Sequence, residues 1–503
     1  MHRAGPRVLR RTHAGTGRLA PAPPAGRDAV GAIGARRRLR WMLRGPAATS
    51  DLEPNKKMKR VRSILLLLVF FFTSQTYATP GQPLSAQGWQ RQVVTFSVAL
   101  YYLSPPSADP ARAARSLAAD PRFAMQVVEK PGKAAYDTAL LHIVDSRNVA
   151  RDSAPPSLES LRYFGRGLTR EQAQALQKAP RAVFLTFAHP GSQAITRLRR
   201  AEAFVAELVR QGQAIIWDEE TREAFTPQVW ESSRLQSWEA DTPDVARQIV
   251  YHAYNNDGQT RVISLGMAKF GLPDLVINDT VWSLNTPLGT AMSSVGQQLV
   301  ESGPANDKGL LEFRISGFRH AGARKRLRES VLAGGSGQGR VRLLEAPAEE
   351  GDPDNTLVAL HFDTYPGSGT TERQTNFVKA VFSAKPDEVI GVRPNNALRE
   401  ASERARLQLP ALQKAFQRGL SPGELLLVKA PFATTDDRRE FMWVEVMEWK
   451  GERIKGMLRS EPRFVPSLKA GQIVDIQQAE VFDYLHRWPD GRTEGNETAK
   501  LLK

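Results

Sequence analysis

The chain contains no cysteine. This excludes disulfides, thiolate zinc sites, cysteine nucleophiles and a lipid anchor attached through cysteine. Stability has to come from a packed core. Histidine is scarce too. From His142 onward there are six, His142, His189, His252, His320, His361 and His486, and no two lie within five residues of each other. No His-x-x-x-His zinc pair is available. Long apolar runs are also missing. The run Ile64–Phe72 covers nine residues, whereas a spanning helix needs roughly 20.

That short run has informative flanks. Lys59, Arg60 and Arg62 precede it, and Thr76 and Ala78 form a small-x-small step after it. A basic head, a short apolar stretch and a small-residue site are the three zones of a secretory signal peptide. We read residues 58–78 as that signal, with cleavage near Ala78, translation starting at Met58 and a periplasmic destination. Residues 1–57 are rich in Arg, Ala, Gly and Pro without sustained periodicity. Such a composition buries too little apolar surface to offset chain entropy, so a disordered leader is expected, one that need not be translated.

The leader also explains the charge. The whole chain is +16. Residues 1–57 hold 13 of its 69 basic residues and 3 of its 53 acidic ones, and the signal head holds three more basic residues. From Thr79 onward 53 basic residues face 50 acidic ones. The basicity that would suggest nucleic acid is therefore absent from the expected mature chain. No nucleic-acid partner is expected, and membrane contact is expected only through the uncleaved signal. One basic cluster remains, Arg319 to Arg328 in "RHAGARKRLRES", and reads as a solvated helix face.

The remaining length suggests several domains. Three times an apolar strand ends in a Pro-containing turn and enters an amphipathic helix: "TFSVALYYLSPPSADPARAARSLAAD", "AVFLTFAHPGSQAITRLRRAEAFVAELV" and "TLVALHFDTYPGSGTTERQTNFVKAVFSA". In the second, Ala194, Leu198, Ala201, Val205 and Leu208 form one stripe at helical spacing. After Gly423 the pattern becomes strands joined by short turns. The expected class is α+β: a first α/β domain over 79–305, a second α/β unit over 306–394, and a small antiparallel module with a leading helix over 395–503. Pro410 either starts a second helix or kinks the first.

The last module carries a recurring set of residues. Its helix shows Ala401, Ala405, Arg406, Leu409 and Pro410. There follow "LLVKAPF", the Glu440–Trp443–Val444 step, Gly456, Leu458, Pro462, Gly471, Val474, the Asp483–Tyr484 pair, Gly491, Gly495 and Asn496. In order and spacing this resembles the YegJ-like family of bacterial domains of unknown function. The resemblance implies a fold and brings no activity with it. It puts Glu440, Trp443 and Asp483 forward as binding residues, and Gly456, Leu458, Pro462, Gly471, Gly491 and Gly495 as structural ones. Two places depart from the pattern, Arg459–Ser460 and Arg487–Trp488–Pro489.

Chemistry is thinly marked. His361 and Asp363 lie two apart at a strand end before a Gly-rich turn, so they share a face and form the one catalytic candidate. Asp483 and His486 meet only if their segment is helical. "PGSGTTE", Pro366 to Glu372, reads as a helix N-cap, with no Gly-Lys-Ser/Thr behind it. "GGSGQG", Gly334 to Gly339, lacks the strand-to-helix setting of a dinucleotide loop. Trp443 and Trp449, six apart on one strand, are expected on one face. No metal or cofactor is expected. The sequence reads as an exported, non-catalytic binding or protective protein of the cell envelope, its partner another envelope or exported protein. The alternative is an envelope-polymer hydrolase acting near His361 and Asp363.

Overall fold

The computed structural model describes residues 19–21, 81–84, 86–130, 137–210, 214–256, 259–384, 396–435 and 438–501. The signal segment, 58–78, and nearly all of the leader lie outside these residues. Among the described residues no helix is long and apolar enough to cross a membrane. The class is α+β, with three large sheets, one two-stranded ribbon at Trp238–Glu239 and Thr242–Pro243, and helices packed on the sheets.

The first sheet is built on strands β1 (Val93–Tyr102), β2 (Ala139–Ser146), β3 (Arg181–Pro190) and β4 (Ala214–Asp218). Helix α1 (Pro110–Ala118) links β1 to β2, and helix α2 (Ala194–Val209) links β3 to β4. The spatial order β2-β3-β1-β4, all antiparallel, is the split βαβ arrangement. Local sequence explains the helix starts. Pro110 sits at the first turn of α1, where its missing N–H costs nothing, and Asp109 accepts from Arg112 N–H at 3.0 Å. The stripe expected on α2 is the buried one: Ala194, Leu198, Ala201, Val205 and Leu208 all face the core. Truncating Leu198 to Ala would cost about 2–5 kcal/mol. Two short helices, Leu158–Phe164 and Arg170–Leu176, cover the opposite face over Tyr101, Leu161 and Leu176.

The second sheet contains β5 (Val250–Asn256), β6 (Gln259–Leu265), β7 (Asp274–Thr280), β8 (Leu310–Arg314), β9 (Gln338–Ala346) and β10 (Leu357–His361). Their order is β5-β6-β7-β10-β9-β8, with β7 and β10 parallel. Leu19–Pro21 pairs parallel to β5 at the edge. This sheet draws strands from both sides of the expected 305/306 division, because β10 hydrogen-bonds to β7 across it. One apolar core, from Leu84 to Phe382, also joins the two sheets. The described residues between 81 and 384 thus form one body.

The third sheet has its own core, from Ala405 to Tyr484. Helix α3 (Asn396–Arg418) runs unbroken through Pro410, with Leu409 and Leu412 buried on either side. Below it lie β11 (Leu425–Ala433), β12 (Arg439–Lys450), β13 (Arg453–Leu458), β14 (Ile473–Gln477), β15 (Asp483–Arg487) and β16 (Thr493–Gly495). They pair antiparallel in the order β14-β13-β12-β11-β15-β16. The helix covers one face of this sheet. The other face carries Leu427, Lys429, Trp443, Glu445, Met457, Arg459 and Arg487, and part of it meets the first body.

Candidate functional site

A chain of charged groups runs from the centre of the first body to this seam. Asp218 ends β4 and is fully buried. Its Oδ2 accepts from Lys269 Nζ at 2.7 Å and from Arg234 Nη2 at 3.1 Å. Arg234 also reaches Glu223 at 3.2 Å, and Glu223 accepts from Arg166 Nε at 2.7 Å. Arg166 donates to the Tyr163 carbonyl at 3.1 Å. Burial pushes Asp218 up, but Lys269 and Arg234 outweigh it and bring the carboxyl down to about 2. Glu202, beside them, accepts from Trp238 Nε1 at 2.8 Å. Burial lifts Glu202 to about 7 despite the same two cations. The cavity lined by Glu202, Asp218, Lys269 and Trp230 is only about 10 Å³, about the space of one water. This cluster has no room for a substrate and acts as structure.

At the seam, Tyr163 donates its hydroxyl to Glu445 Oε1 at 3.0 Å. Glu445 is on β12 and wholly buried. Arg162 approaches the same oxygen at 3.3 Å and donates to the Val446 carbonyl at 2.8 Å. Arg459 lies 3.7 Å from the other oxygen and 5.1 Å from the centroid of the Trp282 ring. Trp282 N–H in turn donates to Glu461 at 3.1 Å. Burial lowers the Arg459 pKa, Glu445 and Tyr163 oppose the shift, and Arg487 and Arg162 add to it. A Glu between two valines on a strand is the ordinary pattern of one face in the core and one in water. Instead both faces of β12 are covered at this point, one by its own core and one by the first body.

The three binding candidates are dispersed. Glu440 is buried at the start of β12 and accepts from the N–H groups of Arg463 and Phe464 at 3.0 and 2.9 Å. Asp483 is buried and holds Thr498, through its N–H at 2.9 Å and its hydroxyl at 2.6 Å. Trp443 stands half-buried beside Lys429, whose Nζ is 5.6 Å from the ring centroid. Lys429 is in register with both Trp443 and Asp483.

Of the structural candidates, Leu458 is buried in the small core and Pro462 lies half-buried in the loop after β13. The Gly471 N–H ties the end of the loop after β13 back to the Leu458 carbonyl, and the Gly491 N–H closes a turn onto Trp488. At Gly456 a Cβ would overlap the Glu445 carbonyl, and Gly495 has φ +87°.

Residues 393–503 match a family model described as an uncharacterized protein conserved in bacteria, DUF2314. No curated protein and no solved structure matches the chain. The matched segment takes in the helix α3 and the whole third sheet, so the sequence resemblance and the separate core pick out the same unit.

Two pairings expected in the DUF2314 domain do not form. Trp443 and Trp449 are on opposite faces, because a bulge between Val446 and Glu448 shifts the alternation and sends Trp449 into the core. Asp483 and His486 lie on a strand, three apart, and point to opposite faces. His486 instead meets Glu424 at 2.6 Å. What the DUF2314 domain leaves open is the outer end of its second face. Phe441 is 41% exposed there, with its ring 4.5 Å from that of Phe482. Phe464, on the loop held by Glu440, is 49% exposed.

In the first body, the His361–Asp363 candidate sits at the end of β10. Asp363 Oδ2 accepts from Arg342 Nε at 2.7 Å, and Arg342 also reaches the Lys308 carbonyl. The carboxylate is thus engaged by a guanidinium. At "PGSGTTE" the Glu372 carboxylate takes the Ser368 N–H and hydroxyl, both at 2.8 Å, and no side chain caps the helix at Gly369. That fills the helix start with the protein's own negative charge. In the basic segment, Arg319 pairs with Glu301 and Arg326 with Asp244, while Lys325 and Arg328 are exposed. Among the described residues no three His, Cys, Asp or Glu side chains gather as a metal site. Sequence reasoning missed Arg162, Tyr163 and Glu445 altogether. The one signal near them was the pair of departures from the family pattern at Arg459 and Arg487.

Proposed function

We propose that the chain is an exported, non-catalytic binding protein of the bacterial cell envelope, and that its YegJ-like C-terminal domain presents an aromatic face to another envelope or exported protein. Export rests on the three zones of residues 58–78. The binding reading rests on one observation: the Phe441–Phe482 pair stays open beside Trp443 and Lys429, while Glu445 and Arg459 on that face meet Tyr163 and Trp282 of the first body. Aromatic side chains with an adjacent cation are the residue types that anchor protein interfaces. Glu440 and Asp483 serve this face indirectly, by fixing the Phe464 loop and the C-terminal turn at Thr498. The engagement of Asp363 by Arg342 weighs against the hydrolase alternative.

The test has two parts. Cell fractionation of the native protein should place a form cleaved near Ala78 in the periplasm. Retention in the cytoplasm would overturn the export reading. A photo-crosslinking residue placed at Phe441 should give a discrete adduct in living cells, and the same residue at Leu407, 77% exposed on helix α3, should give none. Equal labelling from both positions would overturn the binding face.

A further inference from the structure

The seam between the two bodies holds more positive charge than its carboxylate balances. Glu445 is completely buried and faces Arg162 at 3.3 Å and Arg459 at 3.7 Å. The Arg162 and Arg459 side chains are only 17% and 18% exposed. Arg487 lies on the same face of the sheet. Its register partner on β11 is Leu425, two residues before Leu427, and Leu427 is in register with Glu445. Arg487 is exposed and makes no ion pair among the described residues. Arg166, the next guanidinium inward, is already matched by Glu223. Glu461, the next carboxylate along the seam, accepts from the Trp282 N–H and pairs with none of these arginines among the described residues.

Three guanidiniums around one carboxylate leave two positive charges. Partly buried charge of one sign is costly unless a counter-charge meets it. The hydrogen-bonding inventory agrees. Arg162 Nε is buried with no hydrogen-bond partner among the described residues, and Arg459 Nη1 faces Glu445 Oε2 at 3.7 Å, an ion-pair approach too long for a hydrogen bond. Arg459 is held over the Trp282 ring, which fixes the plane of its fork. A planar fork fits a tetrahedral or planar oxyanion with paired hydrogen bonds. The charge count selects between them. A carboxylate would cancel one charge, and a phosphate monoester or inorganic phosphate would cancel both.

We infer that the seam formed by Arg162, Arg459 and Arg487 around Glu445 binds a phosphate group, which bridges the DUF2314 domain and the first body. This site is distinct from the aromatic face and does not depend on export or on a partner protein.

Inorganic phosphate titrated into the purified full chain at low ionic strength, followed by calorimetry against a chloride control of equal ionic strength, tests it. One site per chain is expected. Arg487→Gln should weaken it about tenfold or more, the loss of one charge-assisted pair. Arg487 is exposed, so that variant keeps the fold. Arg459→Lys keeps the charge, loses the fork, and should weaken binding as well. Heat no greater than the chloride control, or equal binding by Arg487→Gln and the unsubstituted chain, overturns the proposal. Phosphatidic acid vesicles form a second arm. Co-sedimentation that Arg487→Gln abolishes assigns the phosphate to a lipid headgroup. Phosphate binding without co-sedimentation assigns it to a soluble ligand.

Discussion

The Tyr163 hydroxyl meets Glu445 Oε1 at 3.0 Å across 282 residues of chain. One residue belongs to a short helix of the first body and the other to the central strand of the DUF2314 domain. Glu445 is fully buried by this contact and by the two arginines beside it. The two units are therefore docked through a polar seam, and each makes the other's buried charge tolerable.

Tyr163→Phe removes the donor and leaves the carboxylate buried. A loss of about 1–3 kcal/mol is expected, the cost of an unsatisfied buried acceptor. Urea denaturation checks it. The loss should appear in the unfolding of the DUF2314 domain as well as of the first body, since both sides of the seam lose the contact.

Glu202→Gln should change the pH dependence of stability in a defined direction. Burial raises the folded-state pKa of Glu202 from its ordinary 4.5 to about 7. The native state therefore holds a proton that the unfolded state releases between those values. The associated stability is complete below about pH 4.5 and is lost as pH rises through 7. Glutamine cannot ionise and avoids that loss. The substituted protein should match the parent at pH 4.5 and exceed it by about 3 kcal/mol at pH 8. Thermal melts of both proteins across this range read the difference, in which other titrating groups cancel.

His361→Ala should leave the protein nearly unchanged. The Asp363 carboxylate is held by Arg342 at 2.7 Å, and the imidazole is at an exposed strand end. A stability change within about 0.5 kcal/mol is expected. Metal analysis of both proteins should give equal content, and metal lost on substitution would restore the hydrolase reading.

Gly456→Ala should destabilise the DUF2314 domain by about 3 kcal/mol. The new methyl group would overlap the Glu445 carbonyl on the paired strand, and backbone cannot yield as a side-chain tip does. Gly491→Ala is the control. Its Cβ meets nothing within 4 Å, so only the φ of +89° is penalised, at about 1–2 kcal/mol. Denaturant melts rank the two.

Periodicity carried much of the fold. The stripe Ala194, Leu198, Ala201, Val205 and Leu208 faced the core as spaced, and the third unit showed itself by its strands and its motif order. Pairwise geometry was not legible in the same way. The separation of Trp443 from Trp449 turned on one extra residue in a bulge, and sequence parity carries no trace of it. His361 and Asp363 looked like a dyad because Arg342, nineteen positions earlier on the neighbouring strand, was invisible as a competitor.

The sequence by itself determined the absence of thiol chemistry, the placement of most of the net positive charge before residue 79, and the α+β pattern of strands and helices. These are properties of composition and of local period, which each segment carries alone. Only the tertiary structure decided that β7 and β10 share a sheet across residues 305 and 306, and that Tyr163, Arg162, Arg459 and Glu445 converge. Such convergence is set by docking between surfaces hundreds of residues apart. In the sequence Glu445 is one acidic residue between two valines. Folded, it is the buried counter-charge of a seam between two bodies.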